Sequence, residues 1–113
     1  MTLAELQLPA PVRQALGELK AGLQHLYGER LRGLYLYGSY TRGDASDDSD
    51  VDVLVVLEGE VNGYRESNRY SKLVADICLK YDLLISTCAI SAETMETWDS
   101  PFLMNVRREG VLL

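Results

Sequence analysis

The chain has 113 residues, 47% hydrophobic and 25% charged, with a formal net charge of −6. That size and composition point to one compact domain, residues 1–113, with a modest core. The acidic balance excludes a non-specific nucleic-acid binder, which needs a basic stripe, so no direct nucleic-acid contact is expected.

Residues 1–8 read as a loose arm or short lead-in. Pro9 and Pro11 favour a helix start at residues 10–12, where a missing N–H costs little. Val12, Ala15, Leu16, Leu19, Leu23 and Leu26 recur at three and four and form one apolar face. Gly17 and Gly22 weaken this helix and Gly28 ends it. His25, near its end, reads as a surface residue because no catalytic partner is apparent.

Next comes LYLYGSYTRGDASDDSDVDVLVVL, residues 34–57. Leu34 and Leu36 alternate with Tyr35 and Tyr37 in a first strand. Gly38 permits a bend that a Cβ would resist, and Ser39 is placed to cap a short helix from Tyr40. Val51 to Leu57 is a strand aliphatic enough to be buried on both faces. At its head Asp50 and Asp52 share one face, because a strand repeats every second residue.

Two adjacent carboxylates at the mouth of a buried strand repel, and three readings compete. A solvated acidic loop is the first. A calcium loop fails on spacing: counted from Asp48, the turn glycine falls on Val53 and the bidentate Glu on Gly59. The third is a metal–phosphate site, with carboxylates for Mg²⁺ and the Gly-Ser turn for phosphate oxygens. A P-loop is excluded, since after Gly38 and Gly43 an Asp44 stands where its Lys belongs.

Further on, residues 58–63 are turn-rich. A second helix over about 64–80 places Tyr70, Leu73, Val74, Ile77, Cys78 and Tyr81 on one face. Its polar start, residues 64–69, is expected to face water or a partner. Asp82 then opens a third strand, residues 82–90, where a lone carboxylate is expensive unless exposed or paired. Ser91 caps a short helix reaching Trp98, and Trp98 is expected to pack against the sheet. A last short helix and an Glu109-Gly110-Val111 tail follow Pro101.

Cys78 and Cys88 sit in apolar sequence and read as two buried thiols in a reducing cytosol, with a disulfide as the less favoured alternative; zinc has almost no support with one His and no close Cys pair. The N-terminus lacks a signal-peptide pattern and no run approaches ~18 apolar residues, so a cytoplasmic protein with no membrane contact is expected.

Gly38-Ser39, ten residues, then Asp50-Val51-Asp52 resembles the signature of the minimal nucleotidyltransferases of the DNA polymerase β-like superfamily. Arg42-Gly43 and Ser49-Asp50 also match. The resemblance implies an α/β (α+β) fold, a small mixed sheet flanked by helices. It further implies transfer of AMP from ATP with two Mg²⁺ ions held by Asp50, Asp52 and a third carboxylate on the neighbouring strand, for which Asp82 fits best and Asp76 is the fallback. Gly38, Ser39, Arg42 and Ser49 would serve the nucleotide; for Arg42, a phosphate contact and an ion pair with Asp44 and Asp47 both stay open. Small proteins of this kind, lacking an acceptor domain, are commonly antitoxins that adenylylate a tyrosine of a partner HEPN-domain toxin. Two other functions stay open: a non-catalytic module that neutralises the toxin by occlusion, and a nucleotidyltransferase for small molecules.

Overall fold

The computed structural model describes residues 6–46 and 48–113; part of the lead-in and Asp47 lie outside them. Helix α1 runs Ala10–Tyr27, with Pro11 in its first turn and Gly28 at its C-cap. A 3₁₀ turn, Gly28–Arg30, leads into β1, Leu31–Tyr37. Then come α2 (Ser39–Arg42), β2 (Val51–Leu57), α3 (Gly63–Tyr81), β3 (Ile85–Ser91), α4 (Ala92–Thr97), α5 (Pro101–Glu109) and β4 (Val111–Leu112).

The four strands form one mixed sheet in the order β3-β2-β1-β4. β1 is antiparallel to β2 and β4, while β2 and β3 are parallel. This is the small mixed sheet flanked by helices expected above. The Val111–Leu112 tail is a strand rather than a loose end, because Leu36 and Tyr35 of β1 provide its pairing partners.

β2 is buried on both faces, as its aliphatic run requires. Val51, Val53, Val55 and Leu57 join Leu34, Leu36 and the inner faces of α1 and α3 in the larger core. Leu54 and Val56 point the other way, onto Met95, Leu103 and Val106 of α4 and α5. Asp52 is the one residue of β2 not buried. Truncating Leu19 or Leu23, each fully buried, would cost roughly 2–5 kcal/mol.

The two glycines of α1 have opposite roles. A Cβ at Gly22 would lie 2.6 Å from Leu73 Cδ1, whereas one at Gly17 would meet nothing within 4 Å. Gly22 is therefore where α3 nests against α1, and Gly17 is only a weak helix former. Gly17→Ala is expected to stabilise the chain by about 0.5–1 kcal/mol, the helix-propensity difference. Gly22→Ala is expected to gain less, because the Leu73 methyls must first move aside. Urea melts followed by far-UV circular dichroism would show Gly17→Ala as the more stabilised of the two.

Several sequence expectations change. Leu26 is 44% exposed and Tyr27 takes the buried place instead, one residue further round the helix. Trp98 does not pack on the sheet; it is 63% exposed, and its carbonyl accepts from Arg107. Cys78 is half-buried and Cys88 exposed, both as free thiols. Most telling is Glu66, in the α3 segment expected to face water. It is 1% exposed, four residues before Tyr70 and so on the same helix face. Tyr27 Oη donates to its Oε1 at 3.0 Å, and Arg30 and Arg69 flank it at 3.4 and 3.5 Å. Among the described residues, no helix is long and apolar enough to cross a membrane.

Candidate active site

The strand registers set three side chains in one row across the sheet. Tyr37 of β1 is paired with Asp52, and Asp52 with Ser86 of β3. Residues in register share a face, so Tyr37, Asp52 and Ser86 point the same way, about 5 Å from strand to strand. In the next row on that face, Tyr35 and Leu54 begin the small core under α4 and α5, while Cys88 at the β3 end stays exposed. Asp52 thus stands where the buried face opens to water, with the exposed Asp50 one strand repeat before it.

Gly38 closes the site on one side. Its backbone, φ 81° and ψ −152°, is open to glycine and costly for other residues. A Cβ there would lie 2.3 Å from Asp52 Oδ2, so the bare backbone is also what leaves room for the carboxylate. Ser39 does not cap α2: Gly38 is the N-cap residue and no side chain caps the turn. Thr41 Oγ1 donates to the Gly38 carbonyl at 2.8 Å and holds the turn instead. α2 spans only four residues, so it offers a few N–H groups rather than a helix dipole.

The ion pairs of Arg42 are clear. Its guanidinium lies 3.4 Å from Asp44 and 3.7 Å from Glu109 at the end of α5, and its charge also acts favourably on Asp52. Ser49 is a loop fastener: its hydroxyl accepts from the Ser46 N–H at 2.9 Å. It also borders a cleft of about 390 Å³ with Asp48, Asp82, Leu83 and Leu84.

Asp82 does not open the strand. It ends α3 in the left-handed region, φ 53° and ψ 51°, and β3 begins three residues later at Ile85. It therefore lies beside Asp48 and Ser49 rather than level with Asp52. Among the described residues no group of three or more His, Cys, Asp or Glu side chains is gathered as a metal site, so Asp82 is not drawn together with Asp50 and Asp52. Asp76, the fallback, is engaged by Lys72 at 2.9 Å on the exposed side of α3. Two neighbours of Asp52, Tyr37 and Ser86, are marked by no motif; the place of Tyr37 is legible in the sequence, since it alternates with Leu36 and immediately precedes Gly38. Phe102 of α5 packs edge-on against it, with ring centroids 5.4 Å apart.

Burial and the nearby Asp50 charge push the Asp52 carboxyl above its usual range, against a smaller opposing effect of Arg42. Burial, then the Asp52 charge, likewise raises the Tyr37 phenol. A carboxyl raised on folding contributes stability that is complete below its unfolded value of 3.8 and lost as pH rises through the folded value. At neutral pH Asp52 is thus a destabilising charge. Asp52→Asn should melt higher than wild type in a chelating buffer at pH 7, with the gap closing towards pH 4. A gap that widens on acidification would contradict this.

Comparison with known proteins gives the family. Residues 16–96 match the family model described as a nucleotidyltransferase domain. The chain belongs to that family. It is a nucleotidyltransferase, and two proteins of Methanocaldococcus jannaschii, both provisionally named protein adenylyltransferases, resemble it closely. One is 35% identical over 83% of this chain and 90% of its own length. The other is 33% identical over 88% and 95%. Among solved structures, one chain of a toxin-antitoxin structure with AMP-PNP superposes with a TM-score of 0.62 over 85% of this chain and 69% of that one, at 17% identity. A nucleotidyltransferase-like protein from Sulfolobus solfataricus reaches 0.56 over 94% and 87%, at 18% identity. The last two likenesses bear on the fold.

Proposed function

We propose that this nucleotidyltransferase is the antitoxin of a toxin–antitoxin pair and transfers AMP from ATP to a tyrosine hydroxyl of a HEPN-domain toxin in the cytoplasm. The observation that carries the reading is the Asp50–Asp52 pair set against the Gly38-Ser39 turn at the open end of a buried sheet. The names of the two relatives support a protein acceptor, and a chain of the toxin-antitoxin structure shares the fold.

In the reaction the acceptor oxygen attacks the α-phosphorus, a new P–O ester bond forms, and pyrophosphate leaves. Asp50 and Asp52 supply hard anionic oxygens, a donor set that fits Mg²⁺. Bound there, Mg²⁺ would neutralise phosphate charge and lower the pKa of the attacking hydroxyl. The Ser39 hydroxyl and the N–H groups after Gly38 hold the outer phosphates, and Arg42 exchanges Asp44 or Glu109 for a phosphate oxygen. Tyr37 walls the site from β1 and excludes water from one side of Asp52. The acceptor's proton leaves to a carboxylate of the pair or to solvent.

Incubation of the chain and the toxin with α-labelled ATP and Mg²⁺ tests the reading. Label on a toxin tyrosine is expected; neutralisation without label would favour the occlusion module. Label on a small molecule would favour the remaining alternative. A second expected result is that Mg-ATP raises the melting temperature of wild type but not of Asp50→Asn/Asp52→Asn, because a ligand of the folded state alone stabilises it. Equal shifts in both proteins would remove these residues from the site.

A further inference from the structure

We propose that Ser86 holds the place of a third metal-binding carboxylate, so that this chain binds one divalent cation firmly with the nucleotide and a second only weakly. The inference rests on the nucleotidyl-transfer reading above and deepens it. Asp52 has one register neighbour on each side: Tyr37 towards β1 and Ser86 towards β3. Tyr37 brings a phenol to the row and no carboxylate. Ser86 is exposed on β3, one strand spacing from Asp52 and on the same face. It is the β3 side chain level with the carboxylate, and its donor is a neutral hydroxyl. Asp82, four residues earlier, is beyond the row and turned into the cleft of Asp48 and Ser49.

Mg²⁺ is held by oxygen donors in near-octahedral geometry and keeps waters where carboxylates are few. Two carboxylates and the phosphate oxygens of ATP satisfy one such ion. A second ion, on the side where the acceptor enters, would share those carboxylates and gain no anion from β3. Its other donors would be water and the acceptor oxygen. The consequence is a site that assembles fully only when the acceptor arrives, with idle hydrolysis of ATP suppressed.

Manganese binding, counted by the electron paramagnetic resonance signal of free Mn²⁺, tests this with a non-hydrolysable ATP analogue present. Wild type is expected to bind one ion per chain in the micromolar range, and Ser86→Asp two, the second at least tenfold tighter than in wild type. Ser86→Asn, similar in shape but uncharged, should stay at one, and so should Asp82→Asn. In chelator, Ser86→Asp should melt below wild type, because a third anion joins the row, and Mn²⁺ should restore it. Two ions of similar affinity in wild type would overturn the proposal, as would one ion in a folded Ser86→Asp or loss of an ion in Asp82→Asn. If Asp52→Asn binds as many ions as wild type, the underlying assignment of the site fails instead.

Discussion

Gly38→Val should lose at least a hundredfold in transfer rate while remaining folded. Two effects act together. The backbone at Gly38 has a positive φ of 81° with an extended ψ, which costs a residue with a side chain about 1–3 kcal/mol. A β-branched residue, stiff at χ1, adds to that. The new Cβ would also fall 2.3 Å from Asp52 Oδ2 and 3.2 Å from its Cγ. The carboxylate is the far end of a side chain that opens to water, so it swings aside and the sheet survives. Chemistry does not survive so well, because a displacement of about 1 Å in a reacting group costs on the order of 10²-fold. Each tenfold is about 1.4 kcal/mol of barrier. Transfer of label and circular dichroism melts on the same preparation separate the effects. Wild-type transfer in a folded Gly38→Val protein would mean that the turn plays no part.

Glu66→Ala should be the most destabilising change outside the apolar core, at about 2–4 kcal/mol. Truncating one member of a buried ionic group costs roughly 3–5 kcal/mol when its partners are stranded. Here the stranding is partial. Arg30 and Arg69 are 30% and 50% exposed and turn to water, whereas Tyr27 is buried and loses its acceptor. An unsatisfied buried hydroxyl costs about 1–3 kcal/mol, and the lost packing of the Glu stem adds to it. Tyr27→Phe removes the other end of the bond, so a double-mutant cycle isolates the pair. Burial, and then the bond to Glu66, raises the Tyr27 phenol to about 12. Its stability contribution is therefore complete below 10 and lost as pH rises through about 12. The gap between wild type and Glu66→Ala should narrow over that interval. A Glu66→Ala melt indistinguishable from wild type at pH 7 would show that the cluster contributes nothing.

The sheet's central strand was legible because its signal is internal. Val51 to Leu57 needs burial on both faces wherever it lies, and the Gly-Ser turn before Asp50 and Asp52 carries its own spacing. Other features depended on partners far along the chain. Glu66 reads as a surface residue beside Arg65 and Ser67, and only Tyr27 and Arg30, 39 and 36 residues earlier, make it buried. Val111 and Leu112 become a strand only because they pair with β1 on the edge away from β2. Arg32 and Gly33 hid the start of β1, being poor strand formers. At the site, the difference lay in where α3 ends. With Asp82 absorbed as its left-handed cap, β3 starts at Ile85, and the residue level with Asp52 changes from a carboxylate to Ser86. Register in a sheet is unforgiving of such shifts, and the sequence carries no turn glycine at Asp82 to mark the stop.

Trp98 has an experimental consequence. It is the chain's one tryptophan, and 63% of it is already in contact with solvent in the folded state. Its emission should lie near that of the free indole, so heating or urea will barely move it, and unfolding must be followed by another signal. The same exposure turns it into a quiet lamp at the junction of α4 and α5, dark to the interior and responsive to whatever settles over that corner. A toxin that docks there would shift its emission to the blue at concentrations set by its dissociation constant. One that docks elsewhere would leave the spectrum unchanged while still slowing the melt.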